Sequence, residues 1–155
     1  MIHAPAPTAR RDVHAEAGGV ENRVLLEDDT VINAVETARG LIGRTRVLGI
    51  GLGHQVLALA LGCQVRRMKL GHHGVNYPVR AEGERRGLIT VQHHSFVVDE
   101  VSLPGSAAVT HVNVNDRTIE GLRSNGQEAW GVQFHPSPDE FGRPSEIFRQ
   151  FVMRA

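Results

Sequence analysis

The segment RVLGIGLGHQVLALALG, residues 46–62, constrains the fold more than any other part of the sequence. Residues 46–51 form a short apolar run without alternation, the pattern of a strand buried on both faces within a parallel sheet. From His54 onward apolar residues recur at helical spacing, and Gly62 provides a stop. Strand and helix are therefore joined by a sharp elbow. Gly51 stands at that turn, the position where a catalytic nucleophile is expected in strand-to-helix elbows of this kind.

The flanking sequence supplies the rest of an α/β pattern. Thr30 is the predicted cap of a helix whose apolar positions Val31, Ile32, Val35, Ala38, Leu41 and Ile42 share one face, with Gly43 at its end. After Gly62 the texture turns to short strands: QVRRMKL, GVNYPVR, GLITVQHHSFVVDE, AAVTHVNVND, TIEGLRSN and EAWGVQFH, separated by Gly, Pro and Asn-Asp turns. The tail SEIFRQFVMRA is an amphipathic helix with Ile147, Phe148, Phe151 and Val152 on one face, and Trp130 is a predicted core residue. Residues 1–22 lack periodicity and read as a mobile arm, leaving 23–155 as one domain, the number that 155 residues suit.

Charge and composition exclude several functions. Acidic and basic residues balance at 17 each, so no net field draws the chain to nucleic acid or to an anionic membrane. No apolar run approaches the roughly 20 residues that span a bilayer, and the N-terminal stretch lacks the apolar core of a secretory signal. Cys63 is the only cysteine, which rules out an intrachain disulfide and suits a reducing, cytoplasmic compartment. Histidine is the unusual feature. The pairs His72-His73 and His93-His94, with His135, raise the question of a metal, but adjacent strand residues point to opposite faces, so each pair offers one ligand to any one site. On that ground no metal and no cofactor is assigned.

Four ordered motifs carry a resemblance: GIGLGHQ (49–55), KLGHHGVNYP (69–78), QHHSF (92–96) and QFHPS (133–137). Together they resemble the class I glutamine amidotransferase domain, most closely that of the carbamoyl-phosphate synthetase small subunit, with its G-I-C-L-G-H-Q elbow, K-x-G-H-H-G-x-N-x-P, Q-N-H-G-F and H-P-E. The resemblance implies a flavodoxin-like, three-layer α/β fold with a mixed sheet, shortened at the N-terminus. It also implies a glutamine pocket in which Gly51, Leu52, Gln55, His93, Ser95, Phe96 and Ser137 surround the substrate. His54 is expected to pack beneath the elbow.

The departures from that pattern decide the functional expectation. The family's nucleophilic cysteine is Gly51 here, which has no side chain with which to attack. His135 matches the general base, but the glutamate that would orient it is Ser137; Asp139 and Glu140 are the nearby candidates to replace it. Cys63 lies twelve residues beyond the elbow and is no substitute. Only Gly18-Gly19 could be a vestige of the family's glycine-rich oxyanion loop. The expectation is a protein without glutaminase activity, recruited as a small-molecule enzyme in which His135 and His93 supply acid/base chemistry in the old pocket. The alternative is an inactive binding or regulatory subunit of a synthetase-type partner. The shortened sheet calls for a second copy or a partner protein to cover its edge.

Overall fold

The computed structural model describes residues 28–138 and 141–153. The expected arm, the Gly18-Gly19 pair, Asp139 and Glu140 lie outside the described residues. Helix α1 (Asp29–Leu41) is capped by Asp28, whose Oδ1 accepts from the Thr30 amide at 2.8 Å, so the cap is Asp28 rather than Thr30. An Asp carboxylate two residues upstream reaches the free amides of the first turn and begins the helix earlier. Strand β1 (Val47–Ile50) then turns through Gly51 into α2 (Leu52–Ala60).

The strand-rich half follows as β2 (Val65–Ala81), β3 (Gly87–Val98), β4 (Ala107–Asn113), β5 (Ile119–Ser124) and β6 (Ala129–Val132), and α3 (Glu146–Met153) closes the chain. QVRRMKL and GVNYPVR, two strands in the sequence pattern, are one strand of 17 residues. Irregularities in its pairing with β3, between Arg67 and His72 and between Gly74 and Tyr77, let it bend where glycine had suggested a break. The sheet is mixed, in the order β1-β6-β5-β3-β2-β4; β1 and β6 run parallel and the other pairs antiparallel. Pairing also closes on itself: β3 with β2, β2 with β4, β4 with β5, and β5 back to β3 through Val98 and Ile119.

Alternation along β1 and β6 builds the three layers. Ala129 on β6 joins the main core with Val31 and Val35 of α1 and Leu57, Ala58 and Leu59 of α2. Gly131, two residues on, lies against His54 of α2. On the other face Trp130 meets the Phe151 ring of α3 edge-on at 6.1 Å, and Val132 packs near Ile147. Arg46 donates to the Phe151 carbonyl at 2.6 Å, placing a cation at the C-terminal end of α3.

Three burial expectations need correcting. Of β1, only Gly49 is fully buried, because β1 ends the sheet among the described residues. Trp130 is half-buried under α3 rather than in the core. Within α3 the apolar face is only partly used: Ile147 and Phe151 pack inward, while Val152 is 64% exposed.

Candidate functional site

At the elbow Gly51 has φ +59° and ψ −116°, a backbone conformation that side-chain-bearing residues rarely adopt. Its amide donates to the Val132 carbonyl at 2.9 Å and its carbonyl accepts from the His54 amide at 3.1 Å, which fixes the turn. A Cβ placed on Gly51 would meet no atom of the described residues within 4 Å. The strained turn of a nucleophile is thus kept, and the space for its side chain is open. Leu52, next to it, is 56% exposed.

The strand tract 91–96 is tied at one end to the helix that follows the elbow and at the other to the segment after β6. Gln55 is buried, and its Nε2 donates to the Phe96 carbonyl at 3.2 Å and to Gln133 Oε1 at 2.9 Å, so its amide nitrogen is occupied in joining α2 to β3 and to the strand-end segment after β6. At the other end the His135 amide donates to the Val91 carbonyl at 3.0 Å. These three motifs are neighbours in space, and the fourth, 69–78, joins them through the pairing of β2 with β3. His135 and Ser137 are exposed, on the loop after β6.

Alternation on β2 and β3 sorts the histidine pairs as their spacing requires. His73 and His93 are both exposed on the outer face, their Nδ1 atoms 3.2 Å apart and their rings edge-to-face. His73 Nε2 lies 3.2 Å from Ser95 Oγ. The imidazole of His73 thus links a hydroxyl on one side to a second imidazole on the other, an arrangement able to relay a proton. His93 and Ser95 are two positions at which QHHSF departs from the Q-N-H-G-F pattern, and both meet His73. Sequence reasoning passed over His73 because the pattern already contains it; the two departures flanking it on the paired strand were the available signal.

The inner face holds a separate polar cluster. His72, His94 and Glu120 are buried, with donor atoms all within 4.8 Å of one another. Burial lowers the His94 pKa to about 4 and raises that of Glu120 to about 7. Glu120 did not stand out in the sequence, since it reads as an ordinary strand residue, and the buried Gln92 was legible only as the first residue of the QHHSF motif.

His54 packs beneath the elbow as expected. It is fully buried, neither ring nitrogen has a hydrogen-bond partner of ordinary geometry, and burial pushes its pKa down to about 3, with the nearby Gly131 backbone offsetting part of that effect. Cys63 is also buried, and burial lifts its thiol to about 11. In native protein Cys63 should therefore resist a maleimide at neutral pH and react fully after unfolding. Rapid labelling of the folded chain would refute this. The cavity of about 210 Å³ beneath α3, lined by Leu48, Trp130, Ile147 and Phe151 among others, contains none of the predicted site residues.

The glutamine amidotransferase class-I family model matches residues 17–155. The chloroplastic carbamoyl phosphate synthase small chain of Arabidopsis thaliana is 42% identical over 120 residues, covering 77% of this chain and 28% of that one. The small chain of Syntrophotalea carbinolica is 47% identical over 103 residues, 66% of this chain and 27% of its own length. This chain thus spans about a third or less of these two relatives. Among solved structures, a protein from Thermoplasma acidophilum assigned to GMP synthase superposes with a TM-score of 0.65 at 21% identity, over 81% of this chain and 63% of that one. A glutamine amidotransferase from Thermotoga maritima superposes with a TM-score of 0.50 at 25% identity, over 72% and 46%. No helix among the described residues is long and apolar enough to cross a membrane.

Proposed function

This chain belongs to the class I glutamine amidotransferase family, and we propose that it has abandoned covalent glutamine hydrolysis. In this reading the site between the elbow and the 91–96 tract serves non-covalent acid/base chemistry on a small metabolite in the cytoplasm. The observation that carries it is Gly51: an elbow that keeps a nucleophile's strained backbone, offers open space in place of a thiol, and has the chain's single cysteine buried elsewhere. His93 and His135 are the groups proposed to exchange protons with substrate. Ser95 and His73 extend the His93 side of that site, and Leu52, Phe96 and Ser137 line it.

A second reading is supported by the relatives themselves, which are named small chains. In it the protein is an inactive binding or regulatory subunit of a synthetase-type partner. Under either reading the lateral edge of β1, the end of the sheet among the described residues, is proposed to be covered by a second copy or a partner. Native mass spectrometry of protein purified gently from its host separates the two: a homo-oligomer with a bound small molecule supports the first, and a stoichiometric complex with another protein and an empty site supports the second.

The purified protein should release no ammonia from glutamine above the level of a His135→Ala variant. Glutaminase activity exceeding that control overturns the reading. Once a ligand is identified, His93→Ala and His135→Ala should each abolish its turnover with stability changed by no more than about 0.5 kcal/mol, as for exposed positions generally. A large loss of stability would instead assign those histidines to the fold.

A further inference from the structure

The inner face of the β2–β3 hairpin presents acceptor atoms to one another. His94 Nδ1 lies 2.9 Å from the Phe96 carbonyl, which can only accept, so that nitrogen carries the proton and a neutral ring turns a bare Nε2 inward. His72 Nε2 lies 2.9 Å from Asp116 Oδ2, which accepts its proton, so in the neutral tautomer of that ring Nδ1 carries none. The Gln92 amide is oriented by its neighbours: Thr90 Oγ1 donates to the Tyr77 carbonyl at 2.9 Å and accepts from Gln92 Nε2 at 3.1 Å, so Gln92 Oε1 faces the two rings. That oxygen is 2.7 Å from His72 Nδ1 and 3.1 Å from His94 Nε2.

Glu120 of β5 completes the set. Its Oε1 stands 3.3 Å from His72 Nδ1 and 3.8 Å from His94 Nε2, the Asn113 amide faces the carboxylate, and Oε2 is buried without a partner of ordinary hydrogen-bond geometry among the described residues. Two imidazole nitrogens, an amide oxygen and a carboxylate thus converge. The donors at their margin are the Asn113 amide, 3.5 Å from His72 Nδ1, and the Thr118 hydroxyl, 3.4 Å from Glu120 Oε1 and better placed on Asp116 Oδ1 at 2.8 Å. Acceptors facing acceptors repel unless something positive lies between them.

We propose that His72 Nδ1, His94 Nε2 and a Glu120 carboxylate oxygen, with Gln92 Oε1 as a fourth ligand, form a closed site for a zinc ion that pins β2, β3 and β5 together. Two imidazole nitrogens and a carboxylate oxygen are a donor set that zinc takes, and Gln92 Oε1 occupies the position that a set of three protein ligands would leave open. The outward-facing N–H groups of both rings are held by a carbonyl and a carboxylate, the outer contacts that metal-binding histidines make. Charge also balances, since Glu120 and Asp116 together offset a divalent cation. Each adjacent pair contributes one ligand, as alternation requires, and β5 and the middle of β3 supply the others. The ion would hold the strands whose opposite face carries His73, His93 and Ser95, yet the proposal stands on the inner face alone.

The test is metal analysis of the full-length protein, stripped with a strong chelator and dialysed against zinc, with a competing chromophoric chelator to measure affinity. About one zinc per chain is expected, chelation should lower the melting temperature, and zinc should restore it. Cobalt in place of zinc should give the visible absorption of a tetrahedral site. Glu120→Gln should lose roughly 100-fold or more in affinity, whereas His73→Ala and His93→Ala should retain the ion. Should Glu120→Gln fail to fold, the wild-type titration and the cobalt spectrum decide alone. No bound zinc, a melting temperature indifferent to chelator and zinc, or equal binding by wild type and Glu120→Gln would overturn the site.

Discussion

Gly49→Ala should be the most damaging single-methyl change in the chain, destabilising it by about 3 kcal/mol or more. A Cβ at Gly49 would come within 2.6 Å of the Gly53 carbonyl carbon and 2.9 Å of the His54 amide nitrogen, closer than real Cβ contacts allow. Those atoms are backbone, fixed by the first turn of α2, so no side chain can move aside. Relief would require α2 to lift off β1, reopening the core built by Leu57, Ala58 and Leu59. For a chain of this size the loss corresponds to a fall in melting temperature of roughly 6–12 °C. Gly53→Ala is the matched control. Gly53 is inside α2 and a Cβ there meets nothing within 4 Å, so the substitution should stabilise by up to about 1 kcal/mol. Thermal melts of the two variants should move in opposite directions; a neutral Gly49→Ala would show that α2 does not sit so close to β1.

The second large effect is acid sensitivity from His54. Its folded pKa of about 3 lies below the ordinary value of 6.5, so between those limits the unfolded chain binds a proton that the folded chain refuses. Stability from this residue is unaffected above about pH 6.5 and falls as pH drops toward 3. By pH 5 the loss amounts to about 2 kcal/mol. In the ion-free protein Glu120 acts with the opposite sign: burial raises it from 4.5 to about 7, so the folded chain holds a proton there that the unfolded chain releases. The wild-type curve alone is therefore flatter than His54 would make it. The readout is the difference between wild type and His54→Leu, measured by denaturant unfolding at pH 7.5 and pH 5. His54→Leu should lose less stability on acidification by about 2 kcal/mol, and at pH 7.5 it should be no less stable, because two unpartnered buried nitrogens are removed. Parallel pH profiles would refute the assignment.

Much of the architecture was legible because its signals are local. The elbow needed only the change from an apolar run to helical spacing around Gly51, and the closing helix only its period. Four motifs pointed to the family, and the missing cysteine was plain at one position. The local signal fell short where several residues compete for one role or where a distant strand decides. Asp28 and Thr30 can both cap α1, and the choice rests on which side chain reaches the first-turn amides. Glycines at 71 and 74 suggested a break in β2, but pairing with β3 carries the strand through them.

Side-chain identity and backbone period were enough to establish the elements other than the fusion of two predicted strands into β2, the empty nucleophile position and the rule that adjacent histidines must part to opposite faces. Neither could say which histidine of each pair turns inward, or that Gln92 and Glu120 wait there to meet His72 and His94; the assembled sheet settles both. Strand register and the closure of β5 onto β3 are long-range pairings, and no local preference of a Gln or Glu in a strand specifies the partner across the sheet. The same holds for His73 and its two neighbours: the identities were written at positions 73, 93 and 95, but their meeting on one outer face required the β2–β3 register that sets His73 opposite His93.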